Sequence, residues 1–423
     1  MARTFSLLLL SLLLVADRPL WAQPTVAGAA VVADNPPHGA DSLGATYPFL
    51  NVAANRIENA TIGLQHFYQR LGTLPGGRVR VVHLGDSHLQ ADEFSGRVRR
   101  ELQRTYGNAG RGLVFPFRVA HTNGSPSFRT DLVAGHWQAR RVLSAPDSAL
   151  LVGLSGFVLA TTEAEAAFTV RMPTAYLPTC QFNQLTVLRQ PGPAALDWQV
   201  RSAQGTWLGA LLGVAPGVAH ALPLDSLHGT VTLRTVRTTP RQTKALLYGL
   251  LLDNGQPGVV YHAIGVNGAA VRHYNRAPLF FEQLPVLEPD LLIVSLGTND
   301  AYETDFDPAV FRGQLDTLVT RLRRAAPAAD VLLTAPPDSY RARRYRNPDL
   351  ARLGEVLRAY AQAHDLAYWD FAAVQGGYGS MRRWQQAGLA QADLIHFTTS
   401  GYELQGQLLY HALQDGFAAF PLR

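Results

Sequence analysis

The sequence has 423 residues, of which 47% are hydrophobic and 16% are charged. So apolar a chain can bury enough surface to offset the entropy lost on ordering, which excludes a largely disordered protein. The net charge of +5 comes from basic residues that are almost all arginine, and these form neither a clustered stripe nor a nucleic-acid-reading motif. The composition therefore does not predict nucleic-acid binding.

The N-terminus has the layout of a secretory signal peptide. In residues 1–22, an arginine precedes the apolar stretch 5–16, and Ala22 provides a small residue for cleavage. The stretch is too short for a comfortable transmembrane helix, so we expect an exported protein, periplasmic or secreted, with no membrane span after cleavage. Residues 23–50 are rich in Ala, Gly, Pro and Asp without periodicity, which predicts a linker.

The first part of an α/β pattern occupies residues 51–124. Apolar residues have helical spacing over 56–71, and the valine-rich residues 79–84 are typical of a strand. An apolar face then recurs at helical spacing over 94–102. A strand followed by a helix is the basic unit of an α/β domain.

Residues 125–256 have a different pattern. Short apolar runs such as 168–170, 185–188 and 231–233 alternate with turns rich in Gly, Pro, Ser and Asp, and no long helical period appears. This arrangement is typical of a β-sandwich. We therefore predict that a β-sandwich domain is inserted after the first strand–helix unit.

From residue 257 to residue 423 the alternation of strand and helix returns. Apolar strands separated by amphipathic helices predict a parallel, doubly wound sheet. The sequence thus predicts one α/β domain, formed by 51–124 and 257–423, that the β-sandwich splits. The predicted strands are 259–264, 291–295, 331–334 and 366–371, and the predicted helices are 308–325, 348–364 and 400–416.

Four short motifs follow predicted strands or lie in the terminal loop, which is where α/β folds place their sites. Ser87 comes directly after strand 79–84 and opens a helix, a position that favours developing negative charge. Gly268 lets a backbone N–H approach a substrate oxygen, and Asn299 offers a side-chain amide as a further donor. Asp393 can orient the imidazole of His396, three residues later, while His396 takes the serine proton.

The order of these motifs resembles the SGNH hydrolases, also called GDSL esterases, over residues 78–124 and 257–417. The resemblance implies a flavodoxin-like, three-layer α/β/α fold with a parallel sheet. It also implies a catalytic triad of Ser87, Asp393 and His396 that needs no metal or organic cofactor. The oxyanion hole would consist of the backbone N–H groups of Ser87 and Gly268 and the Asn299 amide.

Longer strings resemble a narrower group, the SGNH esterases that deacetylate peptidoglycan and carry an inserted sandwich similar to a carbohydrate-binding module. These strings are His83-Leu-Gly-Asp-Ser-His88 and three others, at 107–112, 264–268 and 388–398. The resemblance implies that the substrate is an O-acetylated glycan, with cell-wall peptidoglycan the best single candidate. His88 and Asn267 are candidates for lining the pocket. Phe397 stands where the family usually has proline, so we expect a changed loop shape with an intact Asp–His pair.

Several other polar residues have structural interpretations. Asp86 and Asp300 are expected to hold turns, and His83 and His262 to be satisfied core histidines in strands. Cys180, the one cysteine, is expected to be a core residue, so the chain has neither a disulfide framework nor a Cys-based zinc site. A solvated loop is the expected setting of the basic run Arg341, Arg343, Arg344 and Arg346.

The sequence leaves other functions open. The substrate could instead be acetylxylan, another carbohydrate ester or a lipid, and hydrolysis is not separable from acyl transfer to a second sugar. Gly-Asp-x-His strings also occur in metal-dependent phosphoesterases, although the partner motifs of those enzymes are missing here. A non-catalytic, glycan-binding cell-wall protein on the same fold is the alternative from another class.

Overall fold

The α/β part of the chain forms one six-stranded sheet in the computed structural model, which describes residues 39–176, 180–303 and 305–422. Neighbouring strands are parallel, except that the two-residue edge strand runs antiparallel to its partner. The strands lie in the order Ile57–Glu58, Ala367–Trp369, Asp330–Thr334, Leu291–Ser295, Arg78–Gly85 and Gly258–Gly265.

Helices cover both faces of this sheet. Alternate side chains of Leu291–Ser295 enter two separate cores, with Leu292 and Val294 in one and Leu291 and Ile293 in the other. The first core also receives the buried faces of Pro308–Ala325 and Asp349–Ala363, and the second receives those of Phe94–Tyr106 and Thr399–Ala418. The predicted three-layer fold with a parallel sheet is therefore confirmed.

The remaining helices are short. No helix among the described residues combines the length and apolar character needed to cross a membrane. The α-helices are Gly39–Thr46, Ala60–Gly63, Gln65–Leu71, Ser87–Gln90, Val271–Asn275, Pro278–Gln283, Thr298–Tyr302, Phe371–Val374 and Met381–Gln386, and the 3₁₀ helices are Val52–Ala54, Thr174–Tyr176 and Leu284–Leu287.

The first predicted elements differ from the structure. The predicted signal peptide and residues 23–38 of the predicted linker lie outside the described residues, while the end of that linker holds the helix Gly39–Thr46. The helix predicted over 56–71 is broken, because Ile57–Glu58 pairs with the sheet and Asn59 adopts a left-handed φ of 56°. Gly63 then packs so closely on Ala367 that any Cβ would collide with the backbone there.

The predicted insertion consists of two antiparallel sheets. Trp198 in one sheet stacks on Trp137, which precedes an edge strand of the other, with ring centroids 6.0 Å apart. One sheet has the order Trp207–Leu211, Asp197–Ser202, Thr230–Val236, Ala167–Arg171 and Arg129–Ala134. The other has the order Ala219–His228, Phe182–Arg189, Ala245–Asp253, Phe157–Thr161 and Gln138–Arg141, and Gly110–Val114 pairs with its central strand Ala245–Asp253.

The core of these two sheets is continuous with one core of the α/β part. Trp198 and Phe168 belong to the same buried cluster as Leu292 and Val294 of the main sheet. Cys180 is also buried in this cluster, as expected for a core residue. The domain boundaries at 124 and 256 stay a prediction, because from Gly39 onward the chain forms one compact unit.

Candidate active site

Three of the predicted motifs begin at the same level of the main sheet. Gly85 at the end of Arg78–Gly85 lies opposite Gly265 on one neighbouring strand and Ser295 on the other. Because parallel strands end on the same edge of a sheet, the loops that follow these residues converge there. The sheet register therefore brings the segments that carry Ser87, Gly268 and Asn299 together.

Ser87 is placed by a short, tightly capped helix. Asp86 is the N-cap of Ser87–Gln90, and its Oδ1 accepts a hydrogen bond of 3.0 Å from the backbone N–H of His88. This is the turn-holding role expected for Asp86. The N–H of Ser87 belongs to the first helical turn, and among the described residues no acceptor for it is found, so it is available to a bound oxygen atom.

Ser87, His396 and Asp393 form a connected chain of hydrogen bonds. The Ser87 Oγ lies 2.9 Å from His396 Nε2, and His396 Nδ1 lies 2.7 Å from Asp393 Oδ2. Asp393 Oδ1 accepts the backbone N–H groups of Ile395 and His396, at 2.9 and 3.0 Å. Partial burial opposes the charged form of Asp393, but the hydrogen bonds from His396 and the two backbone N–H groups outweigh it and lower its pKa.

Gly268 lines the same cleft as Ser87 and has a backbone conformation that favours glycine. Its φ of 78° lies in the left-handed region, and a Cβ there would come within 3.0 Å of Leu143 Cδ2. Among the described residues, its N–H has no hydrogen-bond acceptor. This N–H is therefore available to a bound oxygen atom.

Asn299 is held rigidly, but its donors are occupied. Its Nδ2 donates to the backbone oxygen of Ala269 at 2.9 Å and to Asp86 Oδ2 at 3.2 Å. An oxyanion role for Asn299 therefore requires the longer bond, to Asp86, to be shared or exchanged. Burial raises the pKa of Asp86 to about 6, although the hydrogen bond from His88 and the proximity of His396 and Asn299 oppose the shift.

These residues surround an open cleft of about 690 Å³. Its volume lies in the range of small-molecule sites. Apart from Glu93 and the imidazole of His396, its walls are made of uncharged groups, many of them amides and hydroxyls. The cleft is lined by Ser87, Ala91, Glu93, Asn123, Asn267, Gly268, Thr298, Asn299, Tyr302, Gln391, Ile395, His396, Thr399 and Tyr402.

His88 does not line the cleft, contrary to the prediction. It is 4% exposed, its Nδ1 pairs with the Tyr402 hydroxyl at 3.0 Å, and its ring lies 5.3 Å from that of His396. Burial, with the neighbouring His396 next, lowers the pKa of His88 to about 3. Phe397, which replaces the expected proline, is fully buried with its ring 4.7 Å from that of Trp384, and the bond between Asp393 and His396 is intact.

The cleft also contains residues that the motifs did not reveal. Asn267 lines it as predicted, but its backbone N–H donates to Gln90 Oε1 at 2.7 Å and its Nδ2 donates to Asn123 Oδ1 at 2.6 Å. Neither Gln90 nor Asn123 was singled out from the sequence. The one available signal was the position of Gln90, three residues after Ser87 on the same short helix.

The polar residues given structural interpretations have structural partners. Asp300 accepts the backbone N–H of Val271 at 3.1 Å, and burial raises its pKa to about 7. His83 and His262 are buried, and burial lowers the pKa of each to about 3. In the basic run, Arg341 donates to Asp349 and to two backbone oxygens rather than facing the cleft.

The comparisons with known proteins point to one enzyme class. Residues 228–404 match the GDSL-like Lipase/Acylhydrolase family. The matched range includes Gly268, Asn299, Asp393 and His396, whereas Ser87 precedes it. No curated protein sequence matches the chain.

Among solved structures, the chain is similar to one described as "Peptidoglycan O-acetylesterase in action, 5 min". The identity is 22% and the TM-score 0.69, over 88% of this chain and 98% of the other. Partial likenesses include a lipase/acylhydrolase from Enterococcus faecalis, with 25% identity and a TM-score of 0.29 over 37% of this chain and 77% of the other. A family two carbohydrate esterase from Cellvibrio japonicus has 13% identity and a TM-score of 0.31 over 69% and 98%. The family match and the first likeness confirm the predicted resemblance to SGNH hydrolases.

Proposed function

This chain is an ester-hydrolysing enzyme with the SGNH hydrolase fold, and we propose that it removes O-acetyl groups from a polysaccharide, with cell-wall peptidoglycan as the substrate. The reaction passes through an acetyl-enzyme on Ser87. The enzyme acts after export, in the periplasm or outside the cell, as the N-terminal sequence suggests.

One observation carries the catalytic part of the proposal. Ser87 Oγ lies within hydrogen-bond distance of His396 Nε2, and the other ring nitrogen of His396 pairs with Asp393. A nucleophile, a base and a group that orients the base, aligned at an open cleft, are the parts that acyl transfer requires.

In the first half of the reaction, Ser87 Oγ attacks the acetyl carbonyl carbon as His396 Nε2 accepts the hydroxyl proton. Asp393 holds the proton on Nδ1 and stabilises the imidazolium that forms. The tetrahedral intermediate collapses when its bond to the sugar oxygen breaks and His396 returns the proton to that oxygen. The sugar leaves with a free hydroxyl, and the acetyl group stays on Ser87.

In the second half, His396 takes a proton from water as the water oxygen attacks the acetyl carbonyl carbon. This tetrahedral intermediate collapses when its bond to Ser87 Oγ breaks and His396 returns the proton to that oxygen, which regenerates Ser87 and releases acetic acid, which loses its own proton to water as acetate. In both halves, negative charge on the carbonyl oxygen is stabilised by the N–H groups of Ser87 and Gly268. Asn299 joins them when its longer hydrogen bond, to Asp86, is shared with the substrate. Each such donor is typically worth about 3 kcal/mol.

The choice of substrate rests on architecture. The likeness to the structure described as a peptidoglycan O-acetylesterase extends over 88% of this chain, a share too large to leave out the inserted sheets. This supports a related glycan substrate. The amide- and hydroxyl-rich cleft also suits a polar sugar better than a long acyl chain.

The test is acetate release by the chain from Gln23 onward, with O-acetylated peptidoglycan and acetylated xylan as parallel substrates. Ser87→Ala serves as the catalytic control, and a small acetyl ester reports activity independent of any glycan. We expect release from peptidoglycan, and we expect Ser87→Ala to abolish it.

Other outcomes separate the alternatives. Release from xylan alone would keep the chemistry and replace the substrate. Release from neither glycan, with activity on the small ester, would refute the glycan assignment. A folded protein that is inert towards every ester but binds peptidoglycan would be a glycan-binding protein on a hydrolase fold.

A further inference from the structure

Three amide side chains form a closed network on one wall of the cleft. Gln90 Oε1 accepts the backbone N–H of Asn267 at 2.7 Å, and Asn267 Nδ2 donates to Asn123 Oδ1 at 2.6 Å. Gln90 Nε2 completes the network, since it lies 2.9 Å from Asn123 Oδ1 and 2.8 Å from both Asn123 O and Thr122 Oγ1. The network joins the nucleophile helix, the oxyanion loop and the segment that leads into the inserted sheets.

The network fixes which way the Asn123 amide points. A side-chain amide has one oxygen and one nitrogen end, and the donors around it decide their orientation. Here Gln90 and Asn267 both aim N–H groups at one atom, which must therefore be the oxygen. The Nδ2 of Asn123 consequently points away from both residues.

The Nδ2 of Asn123 is a free donor on the cleft wall. Asn123 is exposed and lines the cleft, whereas Gln90 is 2% exposed. Within the described ranges, no hydrogen bond from Asn123 Nδ2 is found. The protein therefore holds a donor in a fixed direction without using it internally.

We propose that Asn123 is a substrate-binding residue whose Nδ2 donates a hydrogen bond to an uncharged oxygen of the bound glycan, a sugar hydroxyl or an N-acetyl carbonyl. The inference rests on the proposed function for its substrate class. An amide donor carries no net charge, and neither does the side chain of Asn267 beside it. Arg141, whose Nη1 donates to the backbone oxygen of Asn267 at 3.4 Å, is not among the residues that line the cleft. This wall therefore suits a neutral sugar oxygen better than a phosphate or carboxylate.

Gln90 is the positioning residue of this site. It touches the substrate-facing wall through Asn123 and Asn267, and it is buried, with a further hydrogen bond from its Nε2 to Thr122 Oγ1. One buried side chain thus contacts both the residue that supplies the substrate donor and Asn267, the residue that precedes Gly268. Loss of Gln90 is expected to affect binding through the first contact and turnover through the second.

Asn123→Asp is the sharpest variant. The remaining oxygen of aspartate can still accept from Gln90 and Asn267, while the donor that faces the cleft is replaced by an acceptor. Asn51→Asp is a matched control, because Asn51 is also exposed, makes no side-chain capping bond and does not line the cleft. Ser87→Ala as the background lets binding be measured without turnover.

The probe is lysozyme-solubilised O-acetylated peptidoglycan, titrated calorimetrically. We expect Asn123→Asp to weaken binding about tenfold, the usual worth of one hydrogen bond, and Asn51→Asp to leave it unchanged. In the active enzyme, the KM for the same fragments should rise more than kcat falls. Gln90→Met should weaken binding by a similar factor, and the double variant should lose no more than about tenfold, because Gln90 acts through Asn123.

The outcomes distinguish this inference from the proposed function. Unchanged binding in Asn123→Asp would overturn it, as would a loss that disappears in 1 M salt, since that loss would come from the added charge rather than the missing donor. A fall in kcat of the Asn123→Asp enzyme with no change in its KM would also overturn it. A tenfold loss of binding by an enzyme that releases no acetate would uphold the role of Asn123 and refute the esterase.

Discussion

Replacing Asp393 tests the orientation of the catalytic base more sharply than replacing Ser87. In Asp393→Asn, the side-chain oxygen can still accept the backbone N–H groups of Ile395 and His396. The amide nitrogen would then face His396 Nδ1, which at 2.7 Å would have to become the acceptor. The imidazole proton would move to Nε2, the atom that must accept the proton of Ser87.

The expected loss has two parts. The imidazolium loses a charge-assisted hydrogen bond to Asp393, worth about 1.5–3 kcal/mol, or roughly tenfold to 150-fold in rate. The inverted tautomer must also be corrected before attack, and in serine hydrolases the two effects together lower kcat by about 10⁴. Asp393→Ala removes the hydrogen bond but leaves water at Nδ1, so the tautomer is not forced. We therefore expect Asp393→Asn to be at least tenfold slower than Asp393→Ala.

The assay is the steady-state rate on a small acetyl ester, with thermal unfolding to show that both variants are folded. A small ester removes glycan binding from the comparison, so kcat reports the chemistry. Asp393→Ala slower than Asp393→Asn would refute the tautomer argument. Losses below about fivefold in both variants would refute the role of Asp393 as the group that orients His396.

The remaining predictions concern the oxyanion loop and buried charges. Gly268→Ala should lower kcat about tenfold or more. Gly388→Ala is the control, because Gly388 has a similar φ of 74° and nothing within 4 Å of an added Cβ, so this substitution should lower stability without lowering kcat. Equal kcat values in the two variants would contradict this. Burial raises the pKa of Asp300 to about 7, so the fold favours the protonated carboxyl. The stability that this preference contributes is full below about pH 4 and is lost as the pH rises through 7. As the pH rises between those values, the free energy of unfolding should fall less in Asp300→Asn than in the wild type, and the difference should be at most about 4 kcal/mol. Thermal-unfolding temperatures that change with pH in parallel in the two proteins would refute this. Asp92→Asn should lower the free energy of unfolding by about 3–5 kcal/mol in urea titrations, because buried Arg111 would lose its carboxylate partner; a loss below 1 kcal/mol would contradict this.

The sequence was sufficient for the five parallel strands of the main sheet because their identity depends on local patterns, whereas the edge strand Ile57–Glu58 was predicted as part of a helix. The strand predicted at 291–295 has those bounds in the structure, and the helix predicted at 308–325 is Pro308–Ala325. Asp307 caps that helix and proline follows it, which are both local signals. Once parallel strands were predicted, the meeting of Ser87 with Gly268 and Asn299 followed from the common edge of the sheet.

Side-chain directions could not be predicted in the same way. His88 follows Ser87 directly, and only the packing of Tyr402 and Phe397 around it decides that it faces the interior. The break at Asn59 depends on pairing with a strand about 310 residues later in the chain. Asn123 lies in an irregular segment with no periodicity, so only the tertiary contacts with Gln90 reveal its position.

The insertion reaches the active site through its loops and not through the strand that follows it. It lies in sequence between Arg78–Gly85 and Gly258–Gly265, which are adjacent strands of the main sheet, and Ser87 and Gly268 follow their two ends. The chain re-enters the main sheet at Gly258, opposite Arg78, which is the edge away from the catalytic residues. The segment that leads into the insertion supplies Asn123 to the cleft, and Leu143 of the insertion packs against the position of a Cβ at Gly268. Changes in the inserted sheets that move either residue should thus alter the oxyanion loop directly, without any change in the triad.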